Sequence, residues 1–158
     1  MYGHMPDKPM LGARQLEILV HIALGSTYKQ TAHALGISIH TVHASLGKIL
    51  EKLGASGRAH AIALAFGKGL LNLEMLKGLA IPKELEASKE YGTLFEQVMT
   101  YLARGCMNKE IGIALGLTEQ SVKNLVMSMS RALGARNRAH VVTLALVLGL
   151  LDPKNFAD

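Results

Sequence analysis

Apolar residues recur on helical faces along most of the chain, and glycines punctuate them. Leu16, Leu19, Val20 and Ala23 share one face, and Gly25 follows as a stop for that first helix. A short helix is predicted over Lys29–Leu35, ended by Gly36, and Ser38 is placed to cap the next. The third helix carries Val42, Leu46, Ile49 and Leu53 at spacings of four, three and four, which aligns them on one face. Gly54 ends it, and a fourth helix is predicted from about Arg58 to Lys68.

The same series then occurs again. Residues 11–71 align with residues 91–151 without a gap, at a constant offset of 80, and about 19 of the 61 paired positions are identical. Gly25 falls on Gly105, Gly36 on Gly116, Leu53-Gly54-Ala55 on Leu133-Gly134-Ala135, and Arg58-Ala59-His60 on Arg138-Ala139-His140. Both copies close on Gly-Leu-Leu. The apolar stripe returns as Val122, Val126, Met129 and Leu133, with Thr118 in the capping place of Ser38 and Asn137 as a cap for the last helix. The expected fold is all-α: two tandem four-helix units, 11–71 and 91–151, joined by a short, partly helical linker at 72–90. Tails at 1–10 and 152–158 flank them. Within the linker, Leu73–Leu79 is expected as a short helix, Pro82 as a break, and a further helix restarts near Pro82.

Composition narrows the function. A low aromatic content of 4% and no Trp leave Leu, Ile, Val, Ala and Met to build the core, a palette suited to helices. The net charge is +5, and it sits in the repeats: +4 in the first and +3 in the second, against −1 in the linker. That distribution favours a polyanionic partner. One cysteine, Cys106, excludes an intrachain disulfide and a cysteine-rich zinc site. The first ten residues have no apolar core of a signal peptide, and no apolar run is long enough to span a membrane, so a cytoplasmic protein is expected.

A helix, a tight glycine turn and a second helix with a polar face can place that second helix in a major groove. The particular residues resemble a family. Leu11–Leu19 is similar to the opening of the LuxR (GerE) helix-turn-helix domain, and Asn108-Lys109-Glu110-Ile111 to its Asn-Lys-Glu-Ile signature. Ser-x-x-Thr-Val at Ser38–Val42, Leu-Gly-Ala-Arg-Asn-Arg-Ala at Leu133–Ala139 and the closing Gly-Leu-Leu triplets also match. Region 4 of sigma factors shares the helical pattern but lacks the fourth helix with its Arg-Ala opening and Gly-Leu-Leu end. The resemblance implies a transcription regulator that binds double-stranded DNA, activation being somewhat favoured over repression.

It also implies which residues act. The third helix would read the major groove through Thr41, His43, Ala44, Gly47 and Lys48 in repeat one, and through Ser121, Lys123, Asn124 and Met127 in repeat two. Family members usually carry Lys where His43 stands, and repeat two keeps it as Lys123. Lys suits guanine and Asn adenine, while Lys29 and Lys109 would contact phosphate. Because family members often dimerise through the fourth helix, Ile62, Ala65 and Phe66, with Val142, Ala145, Leu146 and Leu148, are expected to join two chains as a homodimer. RNA polymerase or another regulator is a further expected partner. No receiver or sensing domain fits in the remaining length, so no small-molecule ligand or cofactor is expected.

Rival readings rest on fewer residues. His33, His40 and His43 lie close together, but no well-placed carboxylate completes a metal site. They are expected on the surface. Cys106 is expected as a half-buried thiol rather than a sensor. Without a phosphate loop, nucleophile elbow or paired carboxylates, no enzyme is indicated. The weak polar face of repeat one and the apolar face of repeat two support one alternative, a protein-binding antagonist that pairs with a LuxR-type partner.

Overall fold

The four helices predicted in each repeat form, and α2, α3, α7 and α8 follow or end at the residues expected to cap or stop them. In the computed structural model, which describes residues 11–80 and 92–157, the first repeat comprises α1 (Ala13–Ala23), α2 (Tyr28–Leu35), α3 (Ile39–Leu53) and α4 (Arg58–Gly67). The second comprises α5 (Gly92–Ala103), α6 (Asn108–Leu115), α7 (Glu119–Leu133) and α8 (Arg138–Val147). No strand occurs among the described residues. The Ser38 and Thr118 hydroxyls accept from the backbone N–H of Thr41 and Ser121, both at 3.0 Å, and so cap α3 and α7. Gly36 ends α2 at φ +65°, a left-handed conformation that costs glycine little.

Within a repeat, α3 packs across α1 and α2, and α4 closes the remaining side. Val42, Leu46, Ile49 and Leu53 point inward from α3 against Ile18, Leu19 and Ile22 of α1. In the second repeat Val122, Met129 and Leu133 are buried, whereas Val126 is only partly covered.

The fourth helices behave differently. Residues Ala61 to Ala65 are all buried, and so are Ala139 to Leu146 without interruption. A helix apolar all round must be covered from more than one side. Here α4 and α8 cover one another, and the alanines of α4 let the two backbones come close. The pairing is reciprocal: α1 of repeat one packs on α8, and α5 of repeat two packs on α4. Gly25 lies against the ring of His140, and Gly105 lies against His60. Residue i meeting j while i′ meets j′ is the signature of a twofold relation. The two repeats therefore form a pseudo-dimer within one chain.

Two expectations are corrected here. The helix expected over Leu73–Leu79 is only a 3-10 turn, Leu73–Met75; the restart near Pro82 lies outside the described residues. The surface expected to join two chains is interior to one. Ile62, Ala65, Val142 and Ala145 are fully buried and Leu146 is 5% exposed, while Phe66 and Leu148 are half-buried. Within one chain, the contact of α4 with α8 and the other helices of each repeat cover these residues.

The repeats also extend past their Gly-Leu-Leu ends. Asn72 caps the first 3-10 turn, and Asp152 caps its counterpart, Pro153–Phe156. Each turn buries one apolar residue, Leu76 or Phe156. The C-terminal turn crosses to pack on α4 of the other repeat, where any side chain at Gly67 would overlap the Phe156 carbonyl.

Candidate nucleic-acid interface

With the apolar faces of α3 and α7 turned inward, their opposite faces reach solvent. On α3, Thr41, His43, Ala44, Gly47 and Lys48 are all exposed. On α7, Lys123, Asn124 and Met127 are exposed, while Ser121 is half-buried. Lys29 and Lys109, near the starts of α2 and α6, are exposed as well. The residues expected to read DNA thus share the outer face of each repeat's third helix, with a lysine at the start of the neighbouring second helix.

Several of these side chains are held in place. The Thr41 hydroxyl lies 2.9 Å from that of Ser38, and the Ser121 hydroxyl accepts from Thr118 at 2.9 Å, so each is tied to the residue that caps its helix. Asn124 Oδ1 accepts from the Gln120 amide at 3.0 Å, which leaves the Asn124 amide N–H groups free to turn outward. Gln120 was not singled out from the sequence; its i,i+4 spacing to Asn124 was the available signal. The His43 ring stands edge-on to Tyr28, with centroids 4.2 Å apart, and the Arg58 guanidinium lies over the Tyr28 ring, 5.1 Å from its centroid. Tyr28 thereby ties the outer face of α3 to the start of α4.

The two outer faces are not equivalent. Where repeat one carries Thr27, His33 and Gly47, repeat two carries Met107, Ile113 and Met127, which are 70%, 78% and 44% exposed. Thr27 also forms a full capping box with Gln30: its hydroxyl accepts from Gln30 N–H and its own N–H donates to Gln30 Oε1. Met107 has no hydroxyl, and only Glu110 reaches back, accepting from its N–H at 2.9 Å.

The two equivalent histidines, buried His140 and half-buried His60, each accept a backbone hydrogen bond. His140 Nδ1 accepts from the Arg136 backbone N–H at 3.0 Å, and His60 Nδ1 accepts from Ser56 N–H at 3.1 Å. Each acceptor role requires an unprotonated Nδ1. Burial lowers both pKa values from the ordinary histidine range, and for His140 the nearby Arg136 charge adds to the effect. The Asn137 amide, which caps α8, also donates to the Gly25 carbonyl across the repeat boundary at 3.1 Å. The Cys106 thiol is raised above its usual range, first by burial and then by Glu110. Such a thiol is a poor nucleophile. No group of three or more histidine, cysteine or acidic side chains fit to hold a metal occurs among the described residues, and no helix among them is long and apolar enough to cross a membrane.

The family model for bacterial regulatory proteins of the luxR family matches residues 9–65 and again residues 96–145. A transcriptional regulatory protein, YdfI of Bacillus subtilis, is 35% identical over 68 residues, 43% of this chain and 32% of its own. A probable transcriptional regulatory protein, NarL of Mycobacterium tuberculosis, is 39% identical over 67 residues, 42% of this chain and 31% of its own. The HTH-type transcriptional activator RamA of Corynebacterium glutamicum is 39% identical over 61 residues, 39% of this chain and 22% of its own. The similarity thus spans a third or less of each of these relatives, about the length of one repeat. No solved structure matches the chain.

Proposed function

Since the chain belongs to the luxR family of bacterial regulatory proteins, we propose that it is a DNA-binding transcription regulator whose single chain supplies both halves of the paired unit that duplex DNA meets. The observation that carries this reading is the reciprocal packing of α4 on α8, which leaves the outer faces of α3 and α7 exposed. A twofold pair of helix-turn-helix units fits half-sites about one helical turn apart, roughly 34–36 Å. In this reading Lys123 and Asn124 contact base edges, and Thr41, His43, Ala44, Gly47, Lys48, Ser121 and Met127 line the groove. Lys29 and Lys109 contact phosphate. Activation through RNA polymerase is somewhat favoured over repression, since the relative RamA is a transcriptional activator.

A second reading, an antagonist that pairs with a LuxR-type partner, is favoured by the exposed Met107, Ile113 and Met127 of repeat two. Fluorescence-anisotropy titration against random duplex and against the DNA upstream of the protein's own gene, at two salt concentrations, separates the two. A regulator binds the upstream duplex more tightly and loses affinity steeply with salt. Absence of binding at low salt refutes it and favours the antagonist.

A further inference from the structure

The boundary between the repeats opens into a cleft of about 690 Å³ whose walls come from both of them. Repeat one contributes Lys29 and Gln30 from the first turn of α2, Ile39 and Arg58; repeat two contributes Arg136 and Asn137. Three cations therefore meet there, and none of the three forms an ion pair with a carboxylate among the described residues. Arg58 is stacked over Tyr28, and the main chain at Arg136 is fixed by its own N–H, which donates to His140 Nδ1.

At the offset of 80, the positions equivalent to Arg136, Asn137, Lys29, Gln30, Ile39 and Arg58 are Ser56, Gly57, Lys109, Glu110, Glu119 and Arg138. Arg138 is also turned to other partners, donating to Asn108 Oδ1 at 2.7 Å and to the Cys106 carbonyl. Among the described residues, the cleft thus brings together three cations with no carboxylate in its lining, whereas the equivalent positions pair two cations with two carboxylates.

We infer that this cleft clamps a phosphate of the DNA backbone between Arg58 and Lys29 of repeat one and Arg136 of repeat two, and that the symmetry-related side makes no equivalent clamp. The cleft lies at the start of α2, on the helix-turn-helix side of repeat one, and Tyr28 connects it to the outer face of α3. It is wide and open, as a continuous strand requires. The two repeats then hold DNA unequally, and repeat one depends on its neighbour for part of its grip. This inference rests on the DNA-binding reading above.

The test compares native protein with Arg136→Ser, which installs the residue that repeat two meets at the same place, and with Arg136→Lys. The readout is the salt dependence of affinity for a bound duplex, with melting curves to establish that the variants fold. One lost phosphate contact lowers the slope of log K against log salt by about 0.9, roughly an eightfold loss of affinity at 0.1 M salt. That change in Arg136→Ser, its absence in Arg136→Lys, and no saturable binding of inorganic phosphate to the DNA-free native protein are the expected results. An unchanged slope in Arg136→Ser, with tight binding by the native protein, overturns the clamp and leaves the DNA-binding reading intact. Saturable binding of inorganic phosphate that Arg136→Ser abolishes, with an unchanged DNA slope, also overturns it and assigns the cleft to a free phosphate compound. Failure of the native protein to bind any duplex overturns both readings.

Discussion

Replacing Gly25 by alanine tests the contact between repeats at one atom. Gly25 has φ +87°, and a Cβ there would stand 2.6 Å from Nδ1 of His140 and 2.8 Å from its Cγ. Forcing alanine into the left-handed region costs about 1–2 kcal/mol. The overlap adds about 1–3 kcal/mol, because well-packed interiors yield only by shifting side chains or backbone. His140 has little room to shift: it is 5% exposed, its Nδ1 is held by Arg136 N–H, and its own N–H is held by Asn137. Gly36→Ala supplies the control, since Gly36 has φ +65° but nothing within 4 Å of its missing Cβ. Urea unfolding of both variants separates strain from overlap. With a slope of about 2 kcal/mol per molar urea, Gly25→Ala unfolds roughly 1 M earlier than Gly36→Ala. Gly105→Ala falls between them, because the nearest obstacle to its Cβ is the Ser56 hydroxyl, which can rotate aside. Equal midpoints for Gly25→Ala and Gly36→Ala would refute the packing of the Gly25 turn on His140.

Three further outcomes follow from the same geometry. Because His60 and His140 have lowered pKa values in the folded chain, the unfolded chain binds more protons as pH falls. Stability is full above the unfolded histidine pKa of about 6.5, falls as pH drops through it, and levels off below the folded values; a melting temperature that stays flat between pH 7.5 and 5.5 contradicts this. Sedimentation equilibrium of the DNA-free protein should return the single-chain mass of 17.0 kDa at micromolar concentration, and a species of twice that mass would show that another surface pairs chains. Changing Lys123 and Asn124 together to alanine should remove about 1–3 kcal/mol of discrimination for each bidentate base contact, and unchanged sequence preference would remove α7 as a reader.

Most of the fold was legible because its signals are local. The Ser38, Thr118 and Asn137 caps, the stops at Gly36, Gly54 and Gly134, and the inward stripe of α3 each depend on residues within a few positions. The burial of α4 was legible too, since Ala-Ile-Ala-Leu-Ala offers no polar face. Its partner was not. An apolar helix needs the same complement whether the cover comes from another chain or from its own repeat, so composition cannot distinguish them. The 3-10 turn at Pro153–Phe156 was missed and the one at Leu73–Met75 was read as a longer helix, because only Phe156 and Leu76 carry their burial, too few residues for a periodic signal. Arg58 and Arg136 were missed at the candidate site for a different reason: 78 positions separate them in sequence, and only the tertiary contact of α4 with α8 brings their clefts together.

Because α4 and α8 belong to one chain, their association is governed by an effective local concentration, typically millimolar for short tethers, rather than by how much protein is present. A regulator assembled from separate subunits loses its paired form on dilution, so occupancy of a two-half-site target rises with the square of its concentration at low levels. Here the paired form persists at any level. For the regulator proposed above, occupancy then rises with the first power, and a cell holding a few copies would respond in proportion to each one added.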